Sequence, residues 1–169
     1  MLDAIKKELE LRSGYLDHEI VETIYFGGGT PSILDTGDLM EIWDIVQKNY
    51  SLSRDLEVTL EANPDDLNLE KLKNLKDYTP INRFSIGIQS FHEADLQYMN
   101  RAHQSKEAFF CIENALKVGF NNLSVDLIYG TPTMNDEQWM YNLNTIFDFG
   151  IPHLSSYALT VEPKTAVTV

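Results

Sequence analysis

Four short stretches carry residue types that could grip a small polar ligand. They are Gly27-Gly28-Gly29-Thr30-Pro31, Glu61-Ala62-Asn63-Pro64, Ser85-Ile86-Gly87-Ile88-Gln89 and Val125-Asp126-Leu127-Ile128 followed by Tyr-Gly-Thr-Pro. Three adjacent glycines open backbone conformations closed to other residues and let a ligand approach main-chain N–H and C=O groups closely. Thr30 adds a hydroxyl and Pro31 stiffens the exit. No Gly-Lys-Ser/Thr follows, so this is not a Walker phosphate loop, and the spacing is not GxGxxG. By itself the triplet fits a ligand-holding loop and a bare tight turn equally well. Glu61 at a strand end could accept hydrogen bonds from an ammonium or a ribose hydroxyl, or could be solvated. Gln89 could be a ligand contact or a polar loop cap. Asp126 sits among apolar neighbours, where a carboxylate is costly unless paired or bound to something, so function is the better reading there. Arg101 and His103 in the Met-Asn-Arg-Ala-His stretch read individually as surface residues, and His153 as an ordinary polar one. Cys111, beside Ile112, reads as a small core residue.

The elements that must position these groups alternate. Helical spacing appears over 1–13, with Leu2, Ile5 and Leu9, and over 37–49, with Leu39, Ile42, Trp43 and Val46. Further helices are expected over 68–76, 92–99 and 135–148. Another runs from a Ser105 cap to a Gly119 stop. Strands are expected over 21–26, 56–61, 82–89, 122–128 and 153–159. This repeated β–α order predicts an α/β fold with a parallel sheet. A doubly wound open sheet and a part or whole (β/α) barrel both fit, and both bind ligands at the carboxyl ends of their strands. In three of the strands apolar residues alternate with small polar ones: Phe84, Ile86 and Ile88 with Ser85, Gly87 and Gln89, for example. One face therefore packs on helices, and the other is expected to line an open, hydrated or ligand-filled cavity. Gly28, Glu61, Gln89 and Asp126 all fall at or near the carboxyl ends of consecutive strands.

Composition narrows the classes. The chain has 169 residues, 43% of them hydrophobic, enough for one domain over 1–169 with a sizeable core. Its formal charge of −13 opposes non-specific nucleic-acid binding. No stretch approaches the ~20 apolar residues needed to span a bilayer, and no basic-then-apolar leader is visible, so a cytoplasmic protein is expected. A single cysteine excludes an intrachain disulfide and a self-contained thiolate metal or iron–sulfur site.

Taken in order, YFGGGTPS, LEANPDDL, RFSIGIQSF, LNRAH-like MNRAH, SVDLIYGTP and SSYALTVEP resemble one family: the radical S-adenosylmethionine oxygen-independent coproporphyrinogen III oxidases and their heme-chaperone relatives. The likeness runs from about residue 20 to 164. It implies a partial (β/α) barrel with a lateral opening and S-adenosylmethionine as cofactor. By the same resemblance Gly28, Gly29 and Thr30 hold the amino group of the methionine moiety, and Glu61 and Gln89 contact the cofactor. Arg101 is implied as partner of its carboxylate, Asp126 of its ribose, and Ala158 as lying near adenine. In the oxidases some of these positions serve a second S-adenosylmethionine.

The chain departs from the family at one point. The family's CxxxCxxC loop, which supplies three thiolates to a [4Fe–4S] cluster, is absent, and Cys111 stands alone elsewhere. The expectation is a piece of a longer protein, truncated at both ends and inactive by itself, with the cluster present only in the full-length relative. Such a piece would expose an apolar sheet edge, favouring dimerisation or marginal stability. The first functional expectation is a fragment of a coproporphyrinogen III oxidase acting on a porphyrinogen. The alternative is a heme chaperone on the same scaffold, toward which SSYALTVEPKT and EANP lean slightly.

Overall fold

The computed structural model describes residues 1–160; the VEP stretch at 161–163 and the rest of the tail, on which the resemblance partly draws, lie outside the described residues. Along the chain run α1 (Leu2–Leu11), β1 (Ile20–Phe26), α2 (Thr36–Asn49), β2 (Ser51–Ala62), α3 (Leu69–Tyr78) and β3 (Arg83–Gln89). They are followed by α4 (Glu93–Tyr98), α5 (Ser105–Val118), β4 (Asn122–Tyr129), α6 (Asp136–Asp148) and β5 (His153–Ala158).

The helix starts follow side-chain chemistry. The Asp35 carboxylate accepts from Asp38 N–H at 2.8 Å to open α2, and Asn68 accepts from Lys71 N–H at 2.9 Å to open α3. At α6 Asn135 and Gln138 satisfy each other's backbone N–H, both at 2.9 Å. Two expectations need correction. Ser105 is not the cap of α5: Gln104 is, because Glu107 reaches back to its N–H at 2.7 Å, while the Ser105 N–H donates to Glu93 at 3.0 Å. And β2 begins at Ser51, not 56, because its pairing with β1 starts at Ile20↔Ser51, slips, and resumes at Thr23↔Glu57. Gly119 ends α5 in the left-handed region at φ +96°, as expected.

All four strand pairs are parallel and the spatial order is β1-β2-β3-β4-β5, the same as the order in sequence. A doubly wound sheet reverses its strand order partway; this one never does. Every crossover returns on the same face, so the helices stack on one side only. That side holds the core: Val58, Leu60, Phe84, Ile86, Ile88, Leu123, Val125 and Leu127 from the strands, packed on Leu39, Leu72, Leu75, Ile112 and Ile146 from the helices. Phe84 and Phe120 meet edge-on with ring centroids 4.7 Å apart. The sheet curls into a half-barrel whose concave face carries the other residues of the alternation: Tyr25, Thr59, Glu61, Ser85, Gly87, Ser124 and Asp126.

Candidate functional site

At the carboxyl ends of the strands lies a polar cavity of about 190 Å3. The β1 tip contributes Gly29, Thr30 and Ser32, and the β2 tip Glu61 and Asn63. From β3 come Ser85, Gly87 and Gln89, from β4 comes Asp126, and the turn before α5 adds Arg101. Six of the eight residues singled out from the sequence thus line one cavity. Gly28 is not among the lining residues, but its N–H donates to Glu61 Oε2 at 3.0 Å. Ala158 is not brought in by its side chain. It pairs in register with Tyr129, which stacks on Trp139 of α6, so its Cβ shares the helix-covered face. Only its main chain could meet a ligand; Ser155, paired with Asp126, takes the concave face.

The glycine triplet divides its work. Gly28 and Gly29 have φ of +78° and +64°, the left-handed region that glycine enters without strain. Gly27 is a matter of space: a Cβ there would stand 2.7 Å from Tyr25 Cε1 and 3.1 Å from Glu61 Cδ. The Tyr25 hydroxyl donates to Glu61 Oε1 at 2.8 Å, so both carboxylate oxygens of Glu61 are held. Burial and the Glu61 carboxylate raise the Tyr25 phenol above its usual range, which keeps it a donor.

Gly87 forms the floor. A Cβ there would lie 2.8 Å from Gln89 Nε2, 3.5 Å from Arg101 Nη2 and 3.8 Å from Asn63 Oδ1. Arg101 is half-buried and donates from Nη2 to Asn63 Oδ1 at 3.0 Å, which aims the guanidinium at the cavity. Gln89 takes φ +67°, an uncommon conformation for a residue with a side chain. No feature of the sequence announces it. Burial raises the Asp126 carboxyl above its ordinary value, and the nearby Glu61 charge adds to this. Ser155, His153 and Arg83 oppose it. Asp126 is thus a half-buried carboxyl on the concave face whose desolvation outweighs the help it gets from Ser155, His153 and Arg83.

Behind the lining sits a layer that sequence reasoning missed. Ser32, fully buried, donates to Asp66 at 2.6 Å, accepts weakly from Asn63 N–H at 3.4 Å, and its carbonyl takes Lys71 Nζ. This ties the glycine loop to the β2 tip. His103, expected at the surface, is buried: its Nε2–H donates to Ile88 O at 3.0 Å, and Nδ1 faces Asp65 at 3.9 Å without a hydrogen bond. The turn after Arg101 folds back onto β3, which is why a polar residue ends up inside. Buried Asp95 accepts from Ser90 at 2.7 Å, from Thr131 at 3.1 Å and from Thr133, joining the tips of β3 and β4. His153 is on the concave face with Nδ1 2.7 Å from Ser124 Oγ.

Residues for an iron–sulfur cluster do not fit. The chain has one cysteine, Cys111, which is buried on α5 with its thiol pushed up to about 12 by burial. Among the described residues no group of three His, Cys, Asp or Glu is placed to hold a metal ion. What converges on the cavity is instead a set of main-chain groups, two carboxylates and one guanidinium. No helix among the described residues is long and apolar enough to cross a membrane.

A curled parallel sheet with helices on one face, its strand tips and the turn before α5 lining a polar cavity, is half of a (β/α) barrel. The chain belongs to the radical SAM superfamily, whose description matches residues 3–146. It is 38% identical to the heme chaperone HemW of Bacillus subtilis over 97% of this chain and 43% of that protein. It is 37% identical to the heme chaperone HemW of Mycobacterium tuberculosis over 97% of this chain and 42% of that protein. The chain thus spans less than half the length of these relatives. Among solved structures it matches coproporphyrinogen III oxidase (HemN) from Escherichia coli, a radical SAM enzyme, with a TM-score of 0.84 and 26% identity, over 96% of this chain and 37% of that one.

Proposed function

We propose that the cavity receives S-adenosylmethionine and that the chain is part of a heme chaperone. The observation that carries the first half is the convergence of Gly29, Thr30, Glu61, Gln89, Arg101 and Asp126 on one polar cavity. Its charges match the ligand: carboxylates for an ammonium and ribose hydroxyls, a guanidinium for a carboxylate. At about 190 Å3 the cavity is smaller than the roughly 300–1,000 Å3 of enclosed small-molecule sites, so it takes part of the ligand and leaves the rest on the concave face. Gly28 acts through Glu61, and Ala158 through its main chain. The radical SAM family also implies a [4Fe–4S] cluster, whose three thiolates would have to come from residues other than these.

The names of the similar curated proteins favour heme as cargo. Coproporphyrinogen oxidation is the second reading, and the structural likeness to the Escherichia coli oxidase supports it. The sequence motifs placed the oxidase first; the chaperone reading now has the better support. The test is titration of the chain with S-adenosylhomocysteine, hemin and coproporphyrinogen III. Saturable S-adenosylhomocysteine binding lost in Asp126→Ala, with a shifted Soret band for hemin and no porphyrinogen binding, is expected. Porphyrinogen binding without hemin binding selects the oxidase reading. No S-adenosylhomocysteine binding at all refutes the cavity assignment.

A further inference from the structure

Tyr25 does not line the cavity, yet its hydroxyl holds one oxygen of Glu61, which does. We infer that Tyr25 is a positioning residue. Through Glu61 it fixes the glycine loop in its ligand-receiving form and so governs recognition of the ligand's amino-acid end. The inference rests on the S-adenosylmethionine reading of the cavity and goes beyond it in assigning this residue.

The geometry is a closed ring of contacts. Tyr25 Oη donates to Glu61 Oε1 at 2.8 Å, and Glu61 Oε2 accepts from Gly28 N–H at 3.0 Å. Gly27 lies directly against the Tyr25 ring, close enough that a Cβ would stand 2.7 Å from it. One phenol thus sets the carboxylate from one side and supports the start of the loop from the other. A carboxylate on a strand end has free χ angles, and two donors on separate oxygens remove that freedom before the ligand arrives. Tyr25 and Glu61 come from adjacent strands on the concave face, where Tyr25 pairs with Thr59, two residues before Glu61. The side chain is about half exposed, 55%, so the fold does not depend on its hydroxyl.

The loop and Glu61 face the amino-acid end of the ligand, so the hydroxyl should affect ligands that carry that end and spare those that lack it. The experiment titrates the parent chain and Tyr25→Phe with S-adenosylhomocysteine and with 5′-methylthioadenosine, which has no amino-acid moiety. Phenylalanine keeps the ring against Gly27 and removes the hydroxyl, and with it the donor to Glu61 and the contact with Ser85. Losing one hydrogen bond to a charged group at a partly solvated site is expected to weaken S-adenosylhomocysteine about fivefold to tenfold, with methylthioadenosine affinity and the melting temperature unchanged. Equal weakening of both ligands, or no change in either, overturns the inference while the cavity reading stands. If the parent binds neither ligand, the cavity reading fails and this inference with it.

Discussion

Replacing Gly87 by alanine should separate the site from the fold. The added Cβ would meet Gln89 Nε2 at 2.8 Å, while Arg101 Nη2 and Asn63 Oδ1 lie at 3.5 and 3.8 Å. The first contact is with the far end of a side chain that can swing away; the other two are ordinary van der Waals distances. Gly87 also has a φ that other residues tolerate, since it is not among the positive-φ glycines. For the fold, then, the methyl reduces the freedom of the unfolded chain, a gain of about 0.4–1 kcal/mol, set against a modest cost of moving Gln89. Net stability should stay within about 1 kcal/mol, or roughly 2–4 °C in melting temperature for a chain this size. The site fares worse. The methyl stands on the cavity floor and displaces Gln89, so the ligand loses a hydrogen bond and meets extra volume. Together these are worth about 2 kcal/mol, roughly thirtyfold in affinity. Calorimetric titration with S-adenosylhomocysteine and a thermal melt decide it. Parent-like affinity would refute the claim that this floor faces a ligand. A melting temperature lower by ten degrees would show that Gly87 serves the sheet.

Three further outcomes follow from the same geometry. Asp126→Asn should raise stability at neutral pH while abolishing ligand binding. The folded carboxyl titrates above its ordinary value of 3.8, so its charged form costs stability that grows as pH rises through the folded value; the variant's advantage in thermal melts should vanish below about pH 3.8. Asp95→Ala strands the hydroxyls of Ser90, Thr131 and Thr133 in a buried position and should cost about 3 kcal/mol in urea denaturation, because breaking such a network leaves unpaired buried polar groups. His103→Gln keeps a donor for Ile88 O and should flatten the acid side of the stability profile. Burial lowers the His103 imidazole, with Arg101 adding to this and the hydrogen bond to Ile88 O, Asp65 and Glu107 opposing it; stability carried by the neutral ring is lost as pH falls below about 6.5 in the parent, and melts at pH 5 and 7.5 would show the difference.

The local patterns decided much by themselves. Period-two alternation in 84–89 and 123–127 put Phe84, Ile86, Leu123 and Val125 on the core side and Ser85, Gly87 and Asp126 on the other, because a strand has only two faces. Gly119 had to end α5, since its left-handed backbone is open to glycine. The alternation of strands and helices announced a parallel sheet, and the ordered motifs pointed to the strand tips as the rim. Other features depend on contacts between segments far apart in sequence, which no local pattern records. Sequential strand order, and with it a half-barrel in place of a doubly wound sheet, is a property of pairing. His103 reads as a surface residue until the turn after Arg101 folds beneath β3. Gly27 looks like one more flexible glycine until the Tyr25 ring and Glu61, brought in from the next strand, fill the space where a Cβ would stand. Ala158 stands at the right place along the chain, but its Cβ faces the helices, because register with β4 fixes which side each residue of β5 shows. Composition and periodicity could thus state which residues lie on a common rim; only the packed tertiary structure could state which of them touch, since touching is settled by register and crossover and not by the order of residues.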